Sequence, residues 1–130
     1  MRHHIAGLCV LACCIVALSG CVEKKDRIVT EQDNGKTFTV AKGESLAVEL
    51  YGNPTTGYSW EPGGIDTDIL KQLPGTRYKS DSKLVGSGGM YTYLFEGASP
   101  GRSAVRFVYR RPWEKKEKPA RTFDLTVIVE

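Results

Sequence analysis

Val105-Arg106-Phe107-Val108-Tyr109-Arg110 decides how the chain is read. Val105, Phe107 and Tyr109 fall on one side, while Arg106 and Arg110 fall on the other. This period-two alternation is that of a half-buried strand. It recurs in both directions from there. Downstream, Phe123, Leu125, Val127 and Val129 alternate to the last residues. Upstream, Tyr91, Tyr93 and Phe95 share a face, and Leu46, Val48 and Leu50 alternate with Ala47, Glu49 and Tyr51. Thr37-Phe38-Thr39-Val40 is a shorter version of the pattern. Between the runs stand glycine and proline turns at Lys42-Gly43, Pro62-Gly63-Gly64 and Ser99-Pro100-Gly101. No window carries an amphipathic helix. The pattern predicts an all-β, immunoglobulin-like antiparallel β-sandwich, with the inward faces of the last three long strands supplying most of its core.

Three segments refine that expectation. Tyr58 to Glu61 reads as a short central strand that buries Trp60. Arg77 to Leu84 reads as a polar strand at a sheet edge, where charges discourage wrong pairing. Ile65 to Leu73 fits either one helical turn or a short strand, with Ile69, Leu70 and Leu73 over the edge of the core. If strand directions alternate, alternate turns share an end. The loops at Asn53, Gly86 and Arg111 then meet at one end of the sandwich. The turns at Lys42-Gly43, Pro74-Gly75 and Ser99-Pro100-Gly101 meet at the other.

The 130 residues suffice for one domain. Residues 1–20 read as a secretory signal: Arg2, His3 and His4, then an apolar run from Ile5 to Leu18, then small residues. Leu18-Ser19-Gly20-Cys21 resembles the lipobox of bacterial lipoproteins. That resemblance implies cleavage before Cys21 and acylation of its thiol and new amino terminus. With Val22 following, it points by analogy to the outer membrane, facing the periplasm. Cys9, Cys13 and Cys14 would leave with the signal, so the domain is expected to hold together without a disulfide. Residues 21–35 read as the lipidated cysteine and a flexible polar tether, and residues 36–130 as the domain.

Composition excludes several function classes. Without Arg2, 17 basic residues face 15 acidic ones with both signs interspersed, and no basic stripe exists to neutralise phosphates, so nucleic acid is not an expected partner. Lys115, Lys116 and Lys118 alternate with Glu114 and Glu117 and read as a solvated loop. Both histidines lie in the signal, and lipid would occupy the last thiol. Histidine-activated nucleophiles and His/Cys metal sites are thereby excluded. Asp66 and Asp68 read as structural or solvating carboxylates. Gly86-Ser87-Gly88-Gly89 lacks the lysine and helix of a phosphate loop. The chain reads as a monomeric binding protein without cofactor or metal, and not as an enzyme.

Three loop segments carry the binding chemistry. In Asn53-Pro54-Thr55-Thr56-Gly57-Tyr58, Pro54 fixes its own φ and Gly57 permits a left-handed backbone, giving a stiff, uncharged turn with two hydroxyls at its crest. A rigid turn loses little entropy on insertion into a groove. Gly86-Ser87-Gly88-Gly89 has almost no side chains, so its backbone could pair with another backbone as an added strand. In Arg111-Pro112-Trp113, Trp113 has the character of an interface anchor, and Arg111 can stack or form forked hydrogen bonds at the rim.

In this order and spacing, the three segments resemble those of the chagasin family of cysteine-protease inhibitors, over about Gly35 to Glu130. The resemblance implies an immunoglobulin-like fold and reversible, non-covalent closure of the active cleft of papain-like cysteine proteases. Thr55 and Thr56 would lie over the catalytic cysteine, with Gly86 to Gly89 on one side and Trp113 on the other. The alternative is an immunoglobulin-like envelope lipoprotein that binds another protein without inhibiting a protease.

Overall fold

The structure is a computed structural model that describes residues 27–130. The expected signal, its cleavage site and Cys21 lie outside the described residues. Among the described residues, nine strands run in chain order: β1 (Arg27–Thr30), β2 (Thr37–Val40), β3 (Ser45–Gly52), β4 (Ser59–Gly63), β5 (Leu70–Gln72), β6 (Arg77–Ser80), β7 (Gly89–Gly97), β8 (Gly101–Arg110) and β9 (Arg121–Val129). They form two facing sheets. One has the order β1-β3-β7, with β5 and β6 successively along the outer edge of β7; the other has the order β2-β9-β8-β4. Among the described residues, no helix is long and apolar enough to cross a membrane.

The alternation in the sequence becomes the core. Leu46, Val48 and Leu50 of β3 and Tyr93 and Phe95 of β7 face Val105, Phe107 and Tyr109 of β8 and Phe123, Leu125, Val127 and Val129 of β9. Fully burying one such side chain is worth about 1.5–3 kcal/mol before entropy is counted. Phe107 sits at the middle, meeting Tyr93, Phe95 and Phe123 ring to ring in tilted or edge-on contacts, the geometry that aromatic quadrupoles favour.

The sandwich is all-β as expected, but its sheets are mixed. β1 runs parallel to β3, and β2 parallel to β9. This also corrects the flexible tether, because residues 27–35 belong to the fold. Val29 is fully buried, and a turn over Glu31–Asp33 carries the chain from one sheet to the other. Gly35 N–H then donates to Asp124 O (2.7 Å), and Asn34 Oδ1 accepts from Asp124 N–H (2.8 Å). Backbone pairing holds this segment, so it needs few apolar residues, and that is why its composition reads as a tether.

Other expectations change in detail. Trp60 is buried, yet its strand β4 is at a sheet edge and not central. β4 also continues through Pro62 and Gly63, since an edge strand can tolerate a residue that lacks an N–H. The polar edge strand stops at Ser80. Residues 65–73 combine both alternatives: Ile69 and Leu70 N–H groups return to Asp66 O in a turn, and Leu70 then opens β5. Asp66 Oδ1 accepts from Asp68 N–H (3.1 Å), a structural role. Pro74-Gly75 does not reverse the chain. β5 and β6 both run antiparallel to β7, opposite residues 95–97 and then 89–92, so Pro74-Gly75 is a kink between two pieces of one edge.

Candidate functional site

β3, β6 and β8 all finish at the same end of the sandwich, where Gly52 pairs with Gly89 and Ser59 with Arg110. The Asn53, Gly86 and Arg111 loops leave from there and bond to one another. Asn53 Nδ2 donates to Gly86 O (3.0 Å), and Arg111 Nε donates to Thr56 O (3.2 Å). The Arg111 guanidinium lies 4.7 Å over the Tyr58 ring. The Asn53 loop is thus braced from both flanks.

That loop is built by its own residues. Asn53 Oδ1 accepts from Thr55 N–H (3.1 Å) and Thr55 Oγ1 (2.6 Å), closing a short turn over Pro54–Thr56. Gly57 ends the turn at φ +82°, which a side chain would oppose. Thr56 Oγ1 donates to Asn53 O (2.6 Å). Pro54, Thr55 and Thr56 are exposed, but both hydroxyl protons point back into the loop. The crest therefore faces outward with acceptor lone pairs, where the sequence suggested donors as well.

The loop stands on an aromatic floor. Tyr58 stacks on Tyr109 (5.3 Å), and Tyr109 meets Trp60 (4.9 Å). Asn53 N–H donates to the Tyr109 hydroxyl (2.8 Å), and Trp60 Nε1 donates to Tyr51 O (3.0 Å). Core and loop thus share side chains.

The Gly86 loop corrects the sequence reading most. Gly88 and Gly89 are buried. A Cβ on Gly88 would collide with the Tyr51 phenol, and one on Gly89 with the Lys79 backbone. Asp81 N–H already donates to Gly88 O (3.0 Å), and Gly89 pairs with both Gly52 and Ser80. These glycines let strands approach inside the protein and are not available to pair with a partner. Ser87 is half-buried, its Oγ 2.8 Å from Ser82 Oγ. Asp81 also adjoins the Tyr51 phenol and raises its pKa by hydrogen bonding to it. Gly86 itself remains exposed, and beside it Leu84 and Val85 face solvent at 78% and 104% exposure. Two adjacent apolar residues beside the glycine motif are the signal for this surface in the sequence.

On the other flank Trp113 is 70% exposed and Pro112 is exposed, as an anchor requires. Arg111 is not a free rim group, since it is committed to Thr56, Tyr58 and Glu114 (Nη1 to Oε1, 3.3 Å). The whole edge offers an uncharged crest between two apolar flanks. Among the described residues no His/Cys/Asp/Glu group could hold a metal ion.

Residues 39–127 match the sequence model of a family described as chagasin family peptidase inhibitor I42. Amoebiasin-1 of Entamoeba histolytica is 40% identical over 106 residues, covering 78% of this chain and 98% of that protein. Chagasin of Trypanosoma cruzi is 37% identical over 89 residues, covering 65% of this chain and 81% of its own. The solution structure of amebosin superposes with a TM-score of 0.67 at 38% identity, over 82% of this chain and 99% of that one. The inhibitor PbICP-C, solved in complex with falcipain-2, superposes with a TM-score of 0.56 at 23% identity over 85% and 95%, a likeness of fold alone.

Proposed function

The chain belongs to the chagasin family of peptidase inhibitors, and on that premise we propose that its three-loop edge reversibly closes the active cleft of papain-like cysteine proteases. The observation that carries the proposal is the bonding of the three loops into one wedge, from Gly86 through Asn53 and Thr56 to Arg111. A wedge already fixed in the free protein loses little conformational entropy when it enters a groove. Its crest, Pro54 to Thr56, carries no charge that would have to be desolvated. Trp113 anchors one flank. On the other flank the contact surface is Leu84, Val85 and the exposed Gly86, while the buried Gly88 and Gly89 keep that loop in shape. Occlusion needs no nucleophile and no covalent bond, so the inhibitor leaves unchanged.

The test is titration of the chain from Val22 to Glu130 against papain while peptide hydrolysis is followed. Activity should be lost stoichiometrically and return on dilution, with the inhibitor's mass unaltered. Persistent hydrolysis at micromolar inhibitor, with the protein folded, would leave the envelope-binding alternative in its place.

The finer assignment of location is also ours. Leu18-Ser19-Gly20-Cys21 after an apolar run supports a lipoprotein whose acylated Cys21 ties it to the bacterial envelope, with the outer membrane facing the periplasm as the destination. Several acyl chains would hold it firmly, each buried methylene contributing about 0.8 kcal/mol.

A further inference from the structure

We propose that Arg121 is a positioning residue for the inhibitory edge, because its guanidinium joins the stem of the Asn53 loop to the aromatic floor beneath it. The proposal rests on the inhibitory reading above. Arg121 lies outside all three loop motifs. It is the first residue of β9, immediately after the Arg111 loop returns to the sandwich.

The need for it follows from the sheet. β1 stops at Thr30, opposite Glu49, so among the described residues no strand covers that edge of β3 beyond this level. Tyr51 O, two residues before Asn53, is met there by side chains. It accepts from Arg121 Nη1 (3.0 Å) and from Trp60 Nε1 (3.0 Å). The same guanidinium lies 4.9 Å over the Trp60 ring and 5.4 Å over the Tyr109 ring. Tyr109 in turn holds Asn53 N–H through its hydroxyl. Arg121 therefore touches two of the floor's three rings, Trp60 and Tyr109, and the backbone that leads into the loop. A planar fork over an aromatic face can do both at once, which a flexible ammonium does less well.

A counter-charge adjoins the guanidinium. Glu31, in the turn after β1, presents an oxygen shielded from solvent, and Arg121 Nη2 meets it as an ion pair without a well-formed hydrogen bond. With side chains 42% and 36% exposed, such a pair adds little stability by itself. Glu31 lies before residues 39–127, so a segment outside the family match reaches the inhibitory edge through Arg121.

The experiment uses the chain from Val22 to Glu130 with Arg121→Met, Arg121→Lys and Glu31→Gln. It measures association rate and inhibition constant against papain, a thermal melt, and amide hydrogen exchange at residues 53–58. Met keeps an apolar stem over Trp60 but cannot donate. If loop order is lost, only a fraction of molecules binds, and the inhibition constant should rise about tenfold, mainly through slower association. Exchange at residues 55–58 should speed up while the melt moves by a few degrees at most. Arg121→Lys, which restores a donor, should recover much of the loss. Glu31→Gln should change inhibition by about threefold or less, since the bond to Tyr51 survives. Inhibition within about twofold of wild type and unchanged loop exchange in Arg121→Met would overturn the proposal. So would an Arg121→Lys variant as weak as Arg121→Met whose melt falls in parallel, since that describes a general stability role. If the wild-type chain itself fails to inhibit papain, the inhibitory reading is lost, and exchange in the loop still decides whether Arg121 orders it.

Discussion

The Trp113 ring lies directly over the backbone of Gly57, so close that a Cβ on Gly57 would stand 2.7 Å from Trp113 Cη2. The glycine also sits at φ +82°, where an L side chain is strained. Gly57→Ala should therefore act twice. Left-handed backbone strain should cost roughly 1–2 kcal/mol of stability. The displaced Trp113 should weaken papain inhibition by more than the stability change explains. A melt and an inhibition constant measured together test this, and an alanine variant that inhibits like wild type would show that the ring-over-backbone contact does not matter.

Trp113→Ala and Trp60→Ala should separate anchor from core. Trp113 is exposed, so its loss should cost binding about 2 kcal/mol or more through faster dissociation, with little change in the melt. Trp60 is 5% exposed and supports the loop floor, so truncation should destabilise the protein by roughly 3–5 kcal/mol. An early melt for the first variant and a normal melt for the second would reverse the assignment.

Gly89→Ala tests the corrected role of the glycine loop. Its Cβ would press on the backbone of Lys79 and Ser80, forcing β6 from β7. Overpacking of this kind should cost about 1–3 kcal/mol, read as a lower denaturant midpoint. A variant of unaltered stability but weaker inhibition would restore Gly89 as a contact residue.

How much of this was legible in the sequence differs by residue. Phe107 and Phe123 announced their faces because a strand's period is local. The meeting of Asn53 with Gly86 followed from strand direction alone. Arg121 could not be found that way, since its bond to Tyr51 spans 70 residues and nothing local marks it. Val29 was missed because an edge strand takes its order from backbone pairing, which leaves little trace in composition. Gly88 and Gly89 were misread because an open loop and a tight strand contact both call for a residue without a side chain.

Tyr93 supplies a pH test. It is 4% exposed, donates to Trp60 O (3.1 Å), and has its pKa raised above the ordinary 10.0, first by burial and then by Tyr91. A raised tyrosine pKa means that the stability gained by keeping the phenol neutral is complete below pH 10.0 and is lost as pH climbs above it. The melting temperature should fall above that pH, and less steeply in Tyr93→Phe. Residual slope is expected, because the pKa values of Tyr51 and Tyr91 are raised too. At neutral pH the lost hydrogen bond should cost about 0.5–1.5 kcal/mol. Equal alkaline slopes in the two proteins would remove Tyr93 as a source.

Cys21→Ser should abolish incorporation of labelled fatty acid and release the protein from membranes or stall its processing. Unchanged fractionation and mature mass would end the lipoprotein proposal.

The parallel pairing of β1 with β3 gives the molecule a polarity. Arg27 lies opposite Leu46, seven residues before Asn53 on β3, and at about 3.3 Å per residue that is roughly 20 Å along the strand. A tether attached through Arg27 would enter at the pole away from Pro54 and Trp113. Anchorage of that kind and recognition would not compete for surface. An inhibitor fixed by that side to a vesicle or a bead should meet papain with its wedge outward and hold it as tightly as the free protein does.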